Sequence, residues 1–238
     1  MIQLGDTGKT YLNWSSGKDA ALSLFYLQKA QKFVPQKLLT SVNTEHNRIS
    51  MHGLRVELLE KQVDAIGIPL VKVELPEEPD MKIYEQRMTA AVNRLKTEGF
   101  KHAAFGDIFL EDLRNYREDQ LGPMEINCIF PLWKRDTGEL IRDFIQNCFK
   151  AVVVAIDESV LDPSFLGREI DKNFVNELPA HVDPCGENGE FHTFCYDGPV
   201  FKQPVYFTIG EKVRKTYKSP KVGEGDMGFW FCDLLPAY

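Results

Sequence analysis

The chain has 238 residues, of which 43% are hydrophobic and 26% are charged, a composition typical of a soluble globular protein with a full apolar core. It carries 28 basic and 35 acidic residues, and the resulting net charge of -7 argues against a broad nucleic-acid-binding surface. The sequence has no apolar run of the roughly 18 residues that a membrane span needs and no basic-then-apolar leader pattern. Its five cysteines include no Cys-x-x-Cys pair, so we expect reduced thiols in a cytoplasmic protein without a zinc or iron–sulfur site.

The first predicted unit is a strand over 10–14, a tight turn from Ser15 to Asp19, and a helix with apolar residues at helical spacing from Ala21. The turn lacks the spacing of a Walker A loop. Backbone N–H groups of such a turn and of the first helical turn point in one direction, and Lys18 adds a positive charge there. This arrangement favours a phosphate site, and an ordinary capped helix after a strand is the alternative.

Strands and helices alternate through the first half of the chain. Further strands are predicted over 37–43, 70–75 and 102–105. Helices are predicted over about 51–65, with Leu54, Leu58 and Gln62 on one line, and over about 81–98, with Met81 on the buried face. Such alternation predicts an α/β fold in which a parallel sheet carries helices on both faces. Ligands of these sheets bind outside the carboxyl ends of the strands, where the turn after residue 14, the loop after Asn43 and Gly106-Asp107 all lie.

The pattern changes after Asp107. The predicted elements are a charged helix over 111–118, an extended segment over 128–133, a helix capped by Thr137, a buried strand over 151–156, a mostly helical stretch over 161–178, a polar loop over 183–193, and antiparallel strands over 204–213 and 228–234. We therefore predict a first domain over 1–124, which holds the parallel sheet, and a smaller α+β domain over 125–238.

The polar loop concentrates chemically active side chains. Glu187, Asn188, Glu190 and His192 lie within six positions and are interleaved with glycines. A solvated surface loop would not require the phenylalanines that flank this group, so a binding or catalytic role is favoured. Elsewhere the alternatives remain open, because Asp107 also suits a turn and the charges around Arg117 also suit a solvated helix face.

Two motifs carry a family resemblance. The turn Ser15-Ser-Gly-Lys-Asp-Ala20 resembles the Ser-Gly-Gly-Lys-Asp-Ser pyrophosphate loop of the ATP pyrophosphatases, with Ser16 in place of a glycine and Ala20 in place of a serine. The loop Gly186-Glu-Asn-Gly-Glu-Phe-His-Thr193, followed by Tyr196-Asp-Gly-Pro199, resembles the diphthine–ammonia ligase (diphthamide synthase) family, a branch of that group. Other segments match in family order, to about residue 201: Met51-His-Gly53, Gly106-Asp-Ile108, Asp112-Leu-Arg114, Tyr116-Arg-Glu118, Pro131-Leu-Trp133 and Gly167-Arg168.

This resemblance implies a Rossmann-like adenine nucleotide alpha hydrolase domain followed by a smaller family-specific domain. The implied enzyme is an ATP-dependent ligase that adenylates a carboxylate, releases pyrophosphate and forms an amide with ammonia, as in the conversion of diphthine on an elongation factor to diphthamide. ATP and Mg²⁺ are the implied cofactors, and free ammonium or a partner protein supplies the nitrogen. The alternatives are a pyrophosphatase acting on another carboxylate or on tRNA, and a non-catalytic adenine-nucleotide-binding protein; a homodimer is possible.

The resemblance and the side-chain chemistry together assign roles to residues. The residues expected to bind nucleotide are Ser15, Ser16, Gly17, Lys18, Asp19, Asn43, His52 and Gly106. Those expected to act in catalysis are Lys18, Asp107, Glu187, Glu190 and His192, with Asp19 or Asp107 holding the metal. Those expected to bind substrate are Arg114, Arg117, Glu118, Asn188 and Thr193. We expect the loop from Glu187 to His192 to face the nucleotide across a cleft and to exclude water as a lid.

Overall fold

The computed structural model describes residues 8–49, 53–77, 79–218 and 226–237. The elements of the first part of the chain are β1 (Lys9–Asn13), α1 (Lys18–Ala30), β2 (Pro35–Asn43), β3 (Arg48–Ile49), α2 (Val56–Ile66), β4 (Leu70–Leu75), α3 (Met81–Thr97), β5 (Phe100–Ala104), α4 (Glu111–Leu121) and β6 (Asn127–Ile129). Helix α1 begins at Lys18, three residues before the apolar pattern that predicted it.

The first sheet has the strand order β4-β2-β1-β5-β6, with all neighbours parallel. The short strand β3 pairs antiparallel with the carboxyl end of β2. Chain order reverses across β1 and β5, so the loops that leave these two neighbouring strands diverge to form a crevice. The predicted mostly parallel, Rossmann-like sheet is therefore confirmed, and its switch point lies between the turn after β1 and Gly106-Asp107.

Helices cover both faces of this sheet. Residues of α1 and α2 enter one apolar cluster, whereas Val92 and Leu95 of α3 enter a second cluster on the opposite face. The prediction that α3 buries Met81 was wrong, since this residue stands in the first turn and is 61% exposed. Among the described helices, none is long and apolar enough to cross a membrane.

The second part of the chain contributes α5 (Thr137–Gln146), β7 (Lys150–Asp157), α6 (Lys172–Glu177), β8 (Phe191–Asp197), β9 (Phe207–Tyr217) and β10 (Met227–Pro236). These strands form an antiparallel sheet of order β8-β7-β10-β9. The two predicted C-terminal antiparallel strands correspond to β9 and β10. Residues of both sheets, among them Leu12 of β1 and Val153 of β7, share one apolar cluster. The predicted domain boundary after residue 124 stays a prediction, although β6 still belongs to the first sheet.

Three local predictions in this part were wrong. The side chain of Asp136, not that of Thr137, caps α5 by accepting from the Glu139 N–H at 2.8 Å. The stretch over 161–178 is helical in only half of its residues, the 3-10 turn Pro163–Phe165 and the short α6, although Gly167, with a φ of +82°, interrupts it as expected. The polar loop ends at Glu190, since His192 and Thr193 already belong to β8.

Candidate functional site

The turn between β1 and α1 is built around Ser16. This serine has a φ of +69°, a left-handed conformation that glycine adopts more easily and that costs an ordinary residue roughly 1–2 kcal/mol. The ATP pyrophosphatase loop that this turn resembles has a glycine at this position, and glycine adopts such a positive φ without strain. The Ser16 hydroxyl is buried, and it has no hydrogen-bond partner among the described residues. Gly17 follows as the extended residue that precedes α1, without a side-chain cap of its own.

Lys18 places a buried positive charge directly behind this turn. Its side chain is almost fully buried, with Nζ 2.8 Å from Asp19 Oδ2, in hydrogen-bond contact with the Cys185 carbonyl and 5.5 Å from the Phe191 ring centroid. Burial alone would lower the pKa of Lys18, but the Asp19 carboxylate and the neighbouring Cys185 and Glu187 outweigh it, so the pKa is raised. The turn therefore keeps a permanent cation in a site largely shielded from water.

The first turn of α1 is closed from outside by strand β8. Thr193 Oγ1 accepts from the Lys18 backbone N–H at 3.1 Å, and the Cys195 backbone N–H donates to the Ser16 carbonyl at 2.9 Å. A Cβ on Gly17 would come within 3.3 Å of the Thr193 carbonyl oxygen, so the close approach favours glycine. Thr193 was predicted to bind substrate; the structure uses its hydroxyl to cap α1, which also commits one of the N–H groups expected to be free for phosphate.

Strand β5 brings a second pair of predicted residues to the same crevice. A Cβ on Gly106 would lie 3.1 Å from the Asp19 backbone carbon, so the loop after β5 packs directly on the first turn of α1. Next to it, Asp107 forms a bidentate ion pair with Arg117 of α4, at 2.6 Å to Nε and 3.1 Å to Nη2. The Arg117 guanidinium also lies 4.4 Å from the Phe105 ring centroid, which fixes its plane.

The metal prediction is only partly compatible with these contacts. Both Asp107 oxygens accept from Arg117, so binding of a metal there would require that ion pair to open. Asp19 contacts Lys18 through Oδ2, and its side chain is about a quarter exposed. Burial raises the pKa of Asp19 more than Lys18 lowers it, and the nearby Asp183 raises it further. Among the described residues, no three His, Cys, Asp or Glu side chains cluster as a metal centre.

The polar loop before β8 is held together by its own acids. The two oxygens of Glu190 accept from the backbone N–H of Asp183 at 3.0 Å, and from the side-chain and backbone N–H groups of Asn188 at 2.9 Å each. The Asp183 carboxylate in turn accepts from the Glu187 N–H at 3.0 Å. This geometry favours a loop-shaping role for Glu190 and Asn188, whose predicted catalytic and substrate-binding roles stay predictions.

Glu187 leaves the loop and reaches the first sheet. Its Oε1 accepts from the backbone N–H groups of Ile108 at 2.7 Å and Phe109 at 3.3 Å, immediately after Asp107. Burial raises the pKa of Glu187 to about 7, although the two backbone donors oppose the shift. The loop therefore lies on the same side as Lys18, but it contacts the loop that follows β5 directly instead of facing it across the predicted open cleft.

His192 stands half-buried on β8 beside this group. Burial, assisted by the charge of Lys18, lowers the pKa of His192 to about 4, so the imidazole is neutral at neutral pH. An efficient proton acceptor has a pKa near the working pH, and Glu187 meets that condition better than His192.

The remaining predicted residues have structural partners or lie elsewhere. Asn43 bridges two loops, donating to the Glu77 carbonyl at 2.9 Å and accepting from the His46 N–H at 3.0 Å. Ser15 Oγ makes a long 3.4 Å contact with the Gly17 N–H. Arg114 pairs with Glu118 at 2.8 Å and stacks on Phe130 and Trp133. His52 lies outside the described residues.

A pocket opens beside the Asp107–Arg117 pair, between α3, α4 and the ends of β1 and β5. Its lining mixes aromatic and aliphatic side chains with polar groups from Asn13 and Glu85, and Tyr116 is hydrogen-bonded to Glu85. Its position at the carboxyl ends of the strands is that of a ligand pocket in sheets of this type.

Comparison with known families now decides the relationship. Residues 8–120 match the family described as diphthamide synthase N-terminal domain, and residues 136–220 match the diphthamide synthase C-terminal domain. The chain belongs to the diphthamide synthase family. The turn around Lys18 and the loop around Glu187 both lie within the residues of this chain that match the family.

Several relatives carry the name diphthine–ammonia ligase. The Homo sapiens protein is 33% identical over 87 residues, which cover 34% of this chain and 33% of that protein. The Mus musculus protein is 27% identical over 126 residues, covering 49% of this chain and 45% of that protein. The Schizosaccharomyces pombe protein is 29% identical over 86 residues, covering 34% of this chain and 14% of that protein. The chain thus spans less than half the length of each of these relatives.

Some residues of this candidate site were missed by sequence reasoning. Gln62 of α2 is fully buried against the turn, and the carbonyl of Cys185 accepts from Lys18 Nζ. A polar residue on the apolar line of α2 was the available signal for Gln62, because a buried carboxamide must find partners. No residue type signals the Cys185 contact, since it uses only the backbone.

The stability of this chain should show two opposing pH dependences from Glu187 and His192. With its pKa raised from 4.5 to about 7, Glu187 keeps a proton in the folded state that the unfolded state loses, so its contribution to the free energy of unfolding falls as pH rises through that window. With its pKa lowered from 6.5 to about 4, His192 contributes the reverse, a loss of stability as pH falls through its window. Urea denaturation at several pH values should show that Glu187→Gln removes the falling component and His192→Asn the rising one. An unchanged pH profile in Glu187→Gln would show that this carboxyl group titrates normally.

Proposed function

We propose that this chain is an ATP-dependent ligase that adenylates a carboxylate, releases pyrophosphate and forms an amide with ammonia, of the diphthine-to-diphthamide type. The observation that carries the proposal is the buried, charged Lys18 behind a glycine turn at the switch point of a parallel sheet. The family membership and the names of the relatives support the same activity.

The turn has the donor set that a phosphate chain needs. The buried Ser16 hydroxyl has no partner among the described residues, the Gly17 N–H makes only a long contact, and Lys18 supplies a cation. Phosphate bound here gains the helix dipole of α1 and charge-assisted hydrogen bonds in a site shielded from water. The residues therefore fit the triphosphate of ATP, and we assign Ser15 to Asp19 to its binding.

We propose that Asp19 is the residue that would hold Mg²⁺. This ion usually takes one or two carboxylates and completes its shell with phosphate oxygens and water, so a cluster of three acids is not required. The Asp19 side chain is about a quarter exposed beside the turn and contacts Lys18 through Oδ2, whereas both Asp107 oxygens accept from Arg117. Bound there, the ion would neutralise phosphate charge.

The amidation half of the reaction needs a group that orients ammonia and accepts its proton. We assign this role to Glu187, because its pKa of about 7 lets it carry or release a proton near neutral pH. Its carboxylate is anchored on the N–H groups of Ile108 and Phe109, within the crevice that Lys18 also faces. We place the acceptor carboxylate in the pocket that Arg117 helps to line, because its guanidinium suits an anionic group.

A pyrophosphate-release assay with ATP, ammonium and diphthine-bearing elongation factor tests the proposal. Release of pyrophosphate and AMP that depends on all three, with nitrogen from labelled ammonium entering the acceptor, is the expected result. The alternatives predict different outcomes: turnover with transfer RNA instead of the elongation factor, turnover with another carboxylate, or ATP binding without turnover. Any of these three results would replace the proposed activity.

A further inference from the structure

The carboxamide of Gln62 connects three separate segments around the phosphate turn. Its Nε2 donates to the Ser16 carbonyl at 3.0 Å and also to the Cys195 carbonyl, while its Oε1 accepts from Trp14 Nε1 at 2.9 Å. Gln62 has no solvent exposure, so each of these contacts is shielded from water. The Gln62 carboxamide therefore joins the residue that follows β1, the turn and β8.

The Ser16 carbonyl is held by two donors, Gln62 Nε2 and the Cys195 backbone N–H at 2.9 Å. In a planar trans peptide, the carbonyl of one residue and the N–H of the next point in opposite directions. Two donors that fix the Ser16 carbonyl toward α2 and β8 therefore fix the Gly17 N–H toward the other side. Among the described residues, it meets only the Ser15 hydroxyl there, at a long 3.4 Å.

We propose that Gln62 is a positioning residue for this site, which aims the Gly17 N–H at the phosphate groups of the nucleotide. The inference rests on the proposed function and extends it to a residue that touches no substrate. A donor oriented before the ligand arrives needs no reorganisation on binding, which is how a backbone N–H becomes effective at a developing or resident negative charge.

The strained backbone of Ser16 also requires the contacts that Gln62 makes. Ser16 adopts a φ of +69°, which an L-residue with a side chain adopts rarely, so the turn needs contacts that hold it. Loss of the Gln62 amide would remove one of two donors from a buried carbonyl and also leave the Trp14 indole N–H without its acceptor. The turn would then be free to rotate the peptide between Ser16 and Gly17.

Calorimetric titration with inorganic pyrophosphate tests the inference in the full chain. Gln62→Met keeps the length and approximate volume of the side chain but removes all three hydrogen bonds. We expect its affinity for pyrophosphate and for ATP to fall at least tenfold. The matched control is Leu59→Ala, a fully buried residue of the same helix without polar atoms, which should lower the melting temperature while leaving pyrophosphate affinity within twofold of the wild type.

A second variant keeps the test decisive if Gln62→Met fails to fold. Gln62→Glu retains the acceptor for Trp14 but replaces the donor to Ser16, so it should likewise bind pyrophosphate at least tenfold more weakly. Wild-type affinity in a folded Gln62→Met or Gln62→Glu variant, or an equal loss in Leu59→Ala, would overturn the inference. Failure of the wild-type chain to bind either pyrophosphate or ATP would instead overturn the proposed function, so the two failures are distinguishable.

Discussion

Replacing Lys18 with methionine should weaken ATP binding by about 10- to 150-fold, the equivalent of the 1.5–3 kcal/mol of a hydrogen bond to a charged group. The reason is that Lys18 is the cation held behind the turn, shielded from water, where screening by solvent is small. The same change leaves Asp19 without its partner, which adds repulsion toward an incoming phosphate. Pyrophosphate release should become undetectable, and calorimetry together with the release assay measures both effects.

Lys29→Met is the matched control for this substitution. Lys29 lies in the last turn of the same helix, with its Nζ 5.7 Å from the Phe25 ring centroid, about three helical turns away from Lys18. The Lys29→Met substitution removes one positive charge from the same helix, so general effects of net charge are the same in both variants. Equal ATP affinities for Lys18→Met and Lys29→Met would contradict the assignment of the turn to phosphate binding.

The parallel half of the fold could be predicted because its signals are local. Apolar periodicity and glycine or proline stops outlined β1, α1, β2, β4, α3 and β5, and alternation then implied a parallel sheet with its ligand crevice at the strand ends. The second half was less predictable, because β8 carries apolar residues and site residues in alternation. His192 and Thr193 look like parts of a functional loop until pairing with β7 shows that they belong to a strand.

The partners within the site could not be predicted for a different reason. Gln62 and Cys195 are separated by 133 residues and Lys18 and Thr193 by 175, and sequence alone carries no record of such pairs. The predicted residues do gather at one crevice, but several of them bind one another. Asp107 and Arg117 were expected to hold metal and substrate separately, whereas the structure joins them in one ion pair.

Replacing Arg117 with methionine should lower the free energy of unfolding by about 2–4 kcal/mol. Removing one partner of a buried ion pair commonly costs about 3–5 kcal/mol, because the other charge is left buried without compensation. The Asp107 side chain is 10% exposed and that of Arg117 is 26% exposed, so the expected cost is somewhat below that range. The lost contact of the guanidinium with the Phe105 ring acts in the same direction. Urea denaturation at neutral pH measures the change.

Two further variants separate the ion pair from general loss of a charged side chain. In the double variant Arg117→Met with Asp107→Asn, the uncompensated carboxylate is absent, so it should be more stable than Arg117→Met alone. Arg94→Met provides the matched control. The side chain of Arg94 in α3 is 82% exposed, and its Nε makes a loose 3.8 Å contact with Glu98, so this substitution should change stability little. If Arg117→Met were as stable as Arg94→Met, the bidentate pair would not be a stabilising contact, and Asp107 would be available for the metal role first expected of it.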